Sequence, residues 1–189
     1  MLQITKYYYH YYLILIMCIL LGSGTAILLL GNFVPTQNVK IYSLLVSILF
    51  YICILFYFIH LYKKQQWQIP SKWQNFQKRP FFYCVFIFPF IFIAIFWMNF
   101  SYVFPIGYTQ IFGNKKILSQ VAKPQRIHSR GEVTYYLDTT YSYLPIFKIS
   151  AQQFQQYQNQ HIILQTTILQ SPVGTIIQSI DNIKITNKK

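Results

Sequence analysis

The sequence predicts an α+β membrane protein: three transmembrane helices followed by a small β-rich extracytoplasmic domain. Three observations lead there. Three strongly apolar runs lie before Phe104, each about the 20 residues a helix needs to cross hydrocarbon. The one sizeable polar stretch among them, Lys63–Arg79, carries five basic side chains and no acid. After Phe104, Gln, Thr, Ser and Ile replace Phe and Leu, and apolar residues begin to alternate with polar ones. Helix-length apolar runs and period-two alternation are signatures of different elements in different solvents.

The basic stretch sets the orientation. Lys and Arg beside a span stay on the cytoplasmic side, so 63–79 is a cytoplasmic loop. The expected spans are at about 11–30, 41–62 and 81–104 within a membrane domain of about residues 1–104. An odd number of spans with that loop inside gives a cytoplasmic N-terminus. Residues from about 105 to 189 then form the extracytoplasmic domain. The expected location is a bacterial-type inner or plasma membrane.

Composition narrows the function. The 189 residues include 16 Lys+Arg and 3 Asp+Glu, a formal net charge of +13. The acids are Glu132, Asp138 and Asp181, so nothing before Glu132 carries a side-chain carboxylate. Proton relays and hard-metal sites draw on carboxylates, and the spans offer none. Seven basic residues flank the apolar runs and nine follow Phe104. The flanking group reads as topology and lipid headgroup contact rather than nucleic-acid binding. Cys18, Cys53 and Cys84 fall one to a run. In such a setting Cys behaves as a small apolar residue, and no His or second Cys lies at ligand spacing.

In chain order, Tyr7–Tyr12 (YYYHYY) is an interfacial aromatic belt and opens the first span. A cleaved signal peptide competes for this run, but Ile27–Leu30 continues the apolar stretch beyond the cleavage point after Ala26. Gly22 and Ala26 form a small-xxx-small pair, which lets another helix approach closely. Gly31–Lys40 reads as a short loop containing a Pro. The second span ends in Phe58–Tyr62, with His60 at the interface. In the third, Pro89 removes a backbone donor and crowds the preceding turn, which predicts a bend. Asn99 and Ser101 make a formal glycosylation sequon too close to the apolar run to serve as an acceptor.

The C-terminal domain is expected in the order β-β-β-α-β-β, as a curled sheet or small barrel. Lys116–Lys123 alternates Ile117, Ser119 and Val121 with polar neighbours until Pro124 interrupts it. Glu132–Asp138 alternates Val133, Tyr135 and Leu137, and Pro145–Ile149 is a third short strand. Ser150 with Gln153 makes a capping box, with Ile149 and Phe154 placed as a hydrophobic staple, so a helix is expected over Ala151–Tyr157. His161–Gln170 and Thr175–Ile185 flank Ser171-Pro172-Val173-Gly174, a hairpin in which Gly174 takes a left-handed position. Side-chain parity slips at Asp181-Asn182, and a bulge there restores it.

No enzyme signal emerges. His128, Ser129 and Asp138 are the residue types of a hydrolytic triad, but adjacent strand residues face opposite ways and no sharp nucleophile turn is present. His128 and His161 lack a third metal ligand. No metal, cofactor or small-molecule substrate is expected. The nine late cations and three acids leave the domain at about +6, which suits an acidic protein partner or lipid headgroups. Arg126, Arg130, Tyr136, Tyr141, Tyr143 and Lys148 are the candidate contact residues, since Arg and Tyr are enriched at interfaces. The functional expectation is a non-enzymatic envelope accessory or immunity-type protein that binds another protein. The alternative is a subunit of a membrane transport or channel complex.

Overall fold

A computed structural model of the chain describes residues 8–64, 73–129, 132–139, 141, 144–158 and 160–186. The chain forms two compact units. One takes in the chain up to Leu29 and Gln37–Phe104; the other takes in Leu30–Thr36 and the chain from Pro105 onward.

The helical unit is built on α1 (Tyr8–Leu30), α2 (Gln37–Lys63), the short α3 (Gln74–Lys78) and α4 (Pro80–Phe112), whose last turns belong to the other unit. Three of these are long and apolar enough to cross a membrane. They are apolar on every side: Met17, Tyr51, Phe92 and Ile95 form the buried centre, while Leu15, Leu49, Phe56 and Phe90 point outward, exposed. A helix apolar all round belongs either in the core of a large protein or in a membrane span. Along α4, Phe88, Phe92, Phe96, Phe100 and Phe104 form a ladder with successive ring centroids 5.5–6.3 Å apart. Their spacing of four places them one above another on one helix face.

Helix α4 runs through Phe112, beyond the expected end at 104, and contains both Pro89 and Pro105. Each proline follows a π-helical turn, Tyr83–Ile87 before the first and Asn99–Val103 before the second. A proline gives no N–H and its ring crowds the carbonyl four residues back. The wider π turn moves that carbonyl aside, so the helix absorbs the proline and continues.

The other unit is a six-stranded antiparallel sheet curled into a half-barrel, in the order β1-β6-β5-β2-β3-β4. Its strands are β1 (Phe33–Pro35), β2 (Asn114–Ser129), β3 (Glu132–Asp138), β4 (Lys148–Ile149), β5 (His161–Ser171) and β6 (Gly174–Thr186). Helix α5 (Ala151–Tyr157) closes the concave side with a 3₁₀ turn, Pro145–Phe147. Ala122, Leu137, Leu144, Phe147, Tyr157, Ile162, Leu164, Ile168 and Ile177 make the core. The capping box of α5 is complete: Gln153 N–H donates to Ser150 Oγ at 3.1 Å, and the Gln153 side chain accepts from Ser150 N–H at 2.9 Å.

Strand β1 lies in the connector that the sequence reads as a loop. Three residues carry little strand signal, and their partner lies near the far end of the chain: Phe33 pairs with Ile176, Val34 with Thr175 and Pro35 with Gly174. Backbone bonds from Ile177 N–H to Asn32 O (2.8 Å) and from Thr36 N–H to Val173 O (3.1 Å) bracket it. Gly174 is therefore a different kind of glycine from the one expected. Its backbone is not left-handed, and Ser171 pairs with it directly across the two-residue turn. A Cβ there would run into the Phe33 ring and come within 2.7 Å of Val34 O. Close approach of β1, rather than turn geometry, requires glycine.

The curl has a local origin. Asp181 is an unpaired residue between Asn182, opposite Gln165, and Ile180, opposite Thr166, and a second irregularity lies between Thr167 and Ile168. Bulges bend the strand that holds them and raise its twist.

Candidate partner-binding surface

Strand β2 organises this surface by changing partner midway. Asn114–Ala122 pairs with β5, and Lys123–Ser129 pairs with β3. Pro124, with no N–H to donate, sits at the handover instead of ending the strand. Among the described residues, each half of β2 is thus hydrogen-bonded along one edge only.

The alternation sorts side chains between two faces. Ala122 and its partner Ile162 are buried in the core, so the odd-numbered residues of β2 face outward. Ile117 and Val121 are 71% and 61% exposed, and Ile127 is exposed beyond them. Lys115 and Lys123 share that side. Across from Lys123 and Gln125 stand Asp138 and Tyr136, and Tyr136 in turn pairs with Lys148. The outer face of β2–β3–β4 therefore carries exposed Ile117, Val121 and Ile127 among Lys115, Lys123 and Lys148, with Asp138 directly opposite Lys123. At about 3.4 Å per residue, Lys115 to Ile127 extends over about 40 Å.

The residues singled out in the sequence do not all meet. Tyr136 and Lys148 are cross-strand neighbours on the outer face. Arg126 pairs with Tyr135, whose ring stacks on Phe154 of α5 at 4.8 Å, so Arg126 lies on the opposite face. Tyr141 is half-buried against the core, with its N–H donating to Thr139 Oγ1 at 3.1 Å. Arg130 and Tyr143 lie outside the described residues. Ile117, Val121 and Lys123 complete the face instead. Their signal was the same alternation, which by itself does not say which side is wet.

Three acids lie on this side of the sheet: Asp138 opposite Lys123, Glu132 opposite Ser129, and Asp181. Asp181 accepts hydrogen bonds from Ser179 Oγ at 2.5 Å and from Thr167 Oγ1. These two bonds, with a smaller pull from Lys115, hold its carboxyl below the usual carboxylate range. Asp181 stays ionised but already has its hydroxyl partners.

The triad residue types stay apart. His128 pairs with Val133 and Asp138 with Lys123, five residues along β3, or about 17 Å. No three His, Cys, Asp or Glu side chains gather among the described residues.

In the helical unit, Gly22 and Ala26 are exposed on α1, with nothing within 4 Å of a Cβ placed on Gly22. Close approach within the chain occurs at Gly24, where a Cβ would lie 3.2 Å from Met98 and 3.4 Å from the Asn99 amide. Asn99 is only 2% exposed. Its Nδ2 donates to Leu20 O and Ile95 O, both at 2.8 Å, and its Oδ1 accepts from Ser23 Oγ at 3.0 Å. This sequon asparagine thus ties α1 to α4, as polar side chains do between helices in lipid.

Compared with protein-family models, with curated proteins and with solved structures, the chain matches none.

Proposed function

We propose that this is a non-enzymatic integral membrane protein whose β unit, displayed on the extracytoplasmic side, binds an acidic segment of a protein partner. The observation that carries the reading is the outer face of β2–β3–β4, where Ile117 and Val121 stand exposed between Lys115, Lys123 and Lys148. Exposed apolar side chains give a partner area to bury, and the lysines select its charge. The half-paired edges of β2 add main-chain hydrogen bonds for an extended segment. Lysines on an open edge also repel a second copy of the same strand, which favours an acidic occupant over self-association. Sidedness comes from the basic 63–79 connector in a bacterial-type inner membrane, with the N-terminus in the cytoplasm. The role is that of an envelope accessory or immunity-type protein.

The test is a photo-crosslinking residue at Val121 in intact membranes, combined with charge reversal. One protein should be captured. Capture should be lost in Lys123→Glu/Lys148→Glu and kept in Arg126→Glu, which alters the other face. Equal capture in all three backgrounds would overturn the proposed surface. A reporter fused after Lys189 that is active only in the cytosol would overturn the sidedness. Ion flux from the purified protein in liposomes would favour the transport alternative.

A further inference from the structure

The helical unit contains a cleft with unlike ends. An apolar hollow of about 490 Å³ lies between α1 and α4, bordered by Leu13, Met17, Leu21, Phe88, Phe92 and Ile95. At its loop end it meets Trp73, Phe76 and Tyr83. The buried Phe76 of α3 seats its ring 5.6 Å from Tyr83 and 5.3 Å from Phe88. The same Trp73, Phe76 and Tyr83 border a second hollow of about 370 Å³, together with Gln74 and Asn75. An apolar chamber thus adjoins, at a single end, one of mixed aromatic and polar lining.

Charge and length narrow the occupant. Lys78 and Arg79 are exposed at that same end; Arg79 O accepts from Tyr83 N–H at 3.3 Å, and Lys78 lies two residues from Phe76. No side-chain carboxylate exists before Glu132, so nothing in this unit neutralises these cations. From Tyr83 to Ile95 is about 18 Å along α4, close to one leaflet of a ~30 Å hydrocarbon core. A cleft of this volume suits a single bound ligand, and these dimensions suit an acyl tail.

We infer that this cleft is a binding site for an anionic phospholipid. One acyl chain occupies the space between α1 and α4, and the phosphate lies by the Gln74–Asn75 chamber within reach of Lys78 and Arg79. Arg matches a phosphate with a fork of donors, and Lys adds a compact positive charge. A zwitterionic headgroup carries its own cation to the same place and gains less.

The full chain, purified and delipidated in detergent, is titrated by native mass spectrometry with phosphatidylglycerol and with phosphatidylcholine of identical chains. One phosphatidylglycerol should be retained per protein in preference to phosphatidylcholine. Lys78→Gln and Arg79→Gln should each reduce that preference about fivefold while leaving phosphatidylcholine binding unchanged. Met17→Trp, which fills the cleft, should weaken both lipids together; Cys18→Trp, on the same wall, serves if the first variant fails to fold. Equal binding of the two lipids to the wild-type chain would overturn the inference. So would several weakly held lipids insensitive to both cleft-filling variants, the behaviour of a general lipid annulus.

Discussion

The strand contributed by the first connector gives the sharpest test, through Gly174. Replacing it with alanine places a Cβ against the Phe33 ring and 2.7 Å from Val34 O. The ring is 3% exposed and the carbonyl belongs to a paired strand, so neither can move freely. Overpacking of this kind costs about 1–3 kcal/mol. Phe33→Ala on its own removes a buried ring and should cost about 3–5 kcal/mol. The informative measurement is the combination. Without the ring, much of the Gly174→Ala penalty disappears, and the coupling between the two sites should be about 0.5–2 kcal/mol. Only the contact with Val34 O remains. The assay is thermal unfolding of the full-length protein in detergent, followed by hydrogen exchange at Thr175–Ile177. Each kcal/mol should lower the β-unit midpoint by about 4–8 °C. A neutral Gly174→Ala, or an equal penalty with and without Phe33, would refute β1 as an edge strand of this sheet.

Three other outcomes are expected. Asn99→Ala should destabilise the helical unit by about 0.5–2 kcal/mol, Ser23→Ala by less, and the double variant by less than their sum, read from detergent melting curves. Ser150→Ala should cost about 1 kcal/mol through loss of the α5 cap, visible as faster exchange at Gln153 and Phe154. The hydroxyls of Ser179 and Thr167 lower the Asp181 pKa in the folded state. Its contribution to stability is therefore complete above about pH 4, the unfolded value, and is lost as pH falls through the lower folded-state value. Asp181→Asn should remove that part of the acid dependence, measured as unfolding midpoint against pH; an unchanged acid limb would count against the hydroxyl clamp.

Local signals in the sequence proved legible where the determining residues are neighbours. The capping box at Ser150–Gln153 formed with both bonds, because its partners are three residues apart and need no tertiary help. The parity slip at Asp181 emerged as a bulge, because a strand with one buried face must keep its apolar side chains on it. The contact residues were harder. Arg126 and Tyr136 are near neighbours in sequence, yet the β2–β3 register puts them on opposite faces. Ile117 and Val121 look like core residues until Ala122 and Ile162 are seen occupying the core.

The chain's own order of residues decided the number of apolar helices, the basic connector between the second and third, and the β-rich character of the C-terminal unit. Those depend on composition within windows of about 20 residues or on a period of two. Only the tertiary structure decided that Phe33–Pro35 completes the sheet, that α4 passes through two prolines on π turns, and which face of β2 meets solvent. Each of these is settled by a partner distant in the chain or by backbone relaxation around a proline. A three-residue strand has too little pattern to announce itself, and it is stable only because the β6 edge and Gly174 leave it a place.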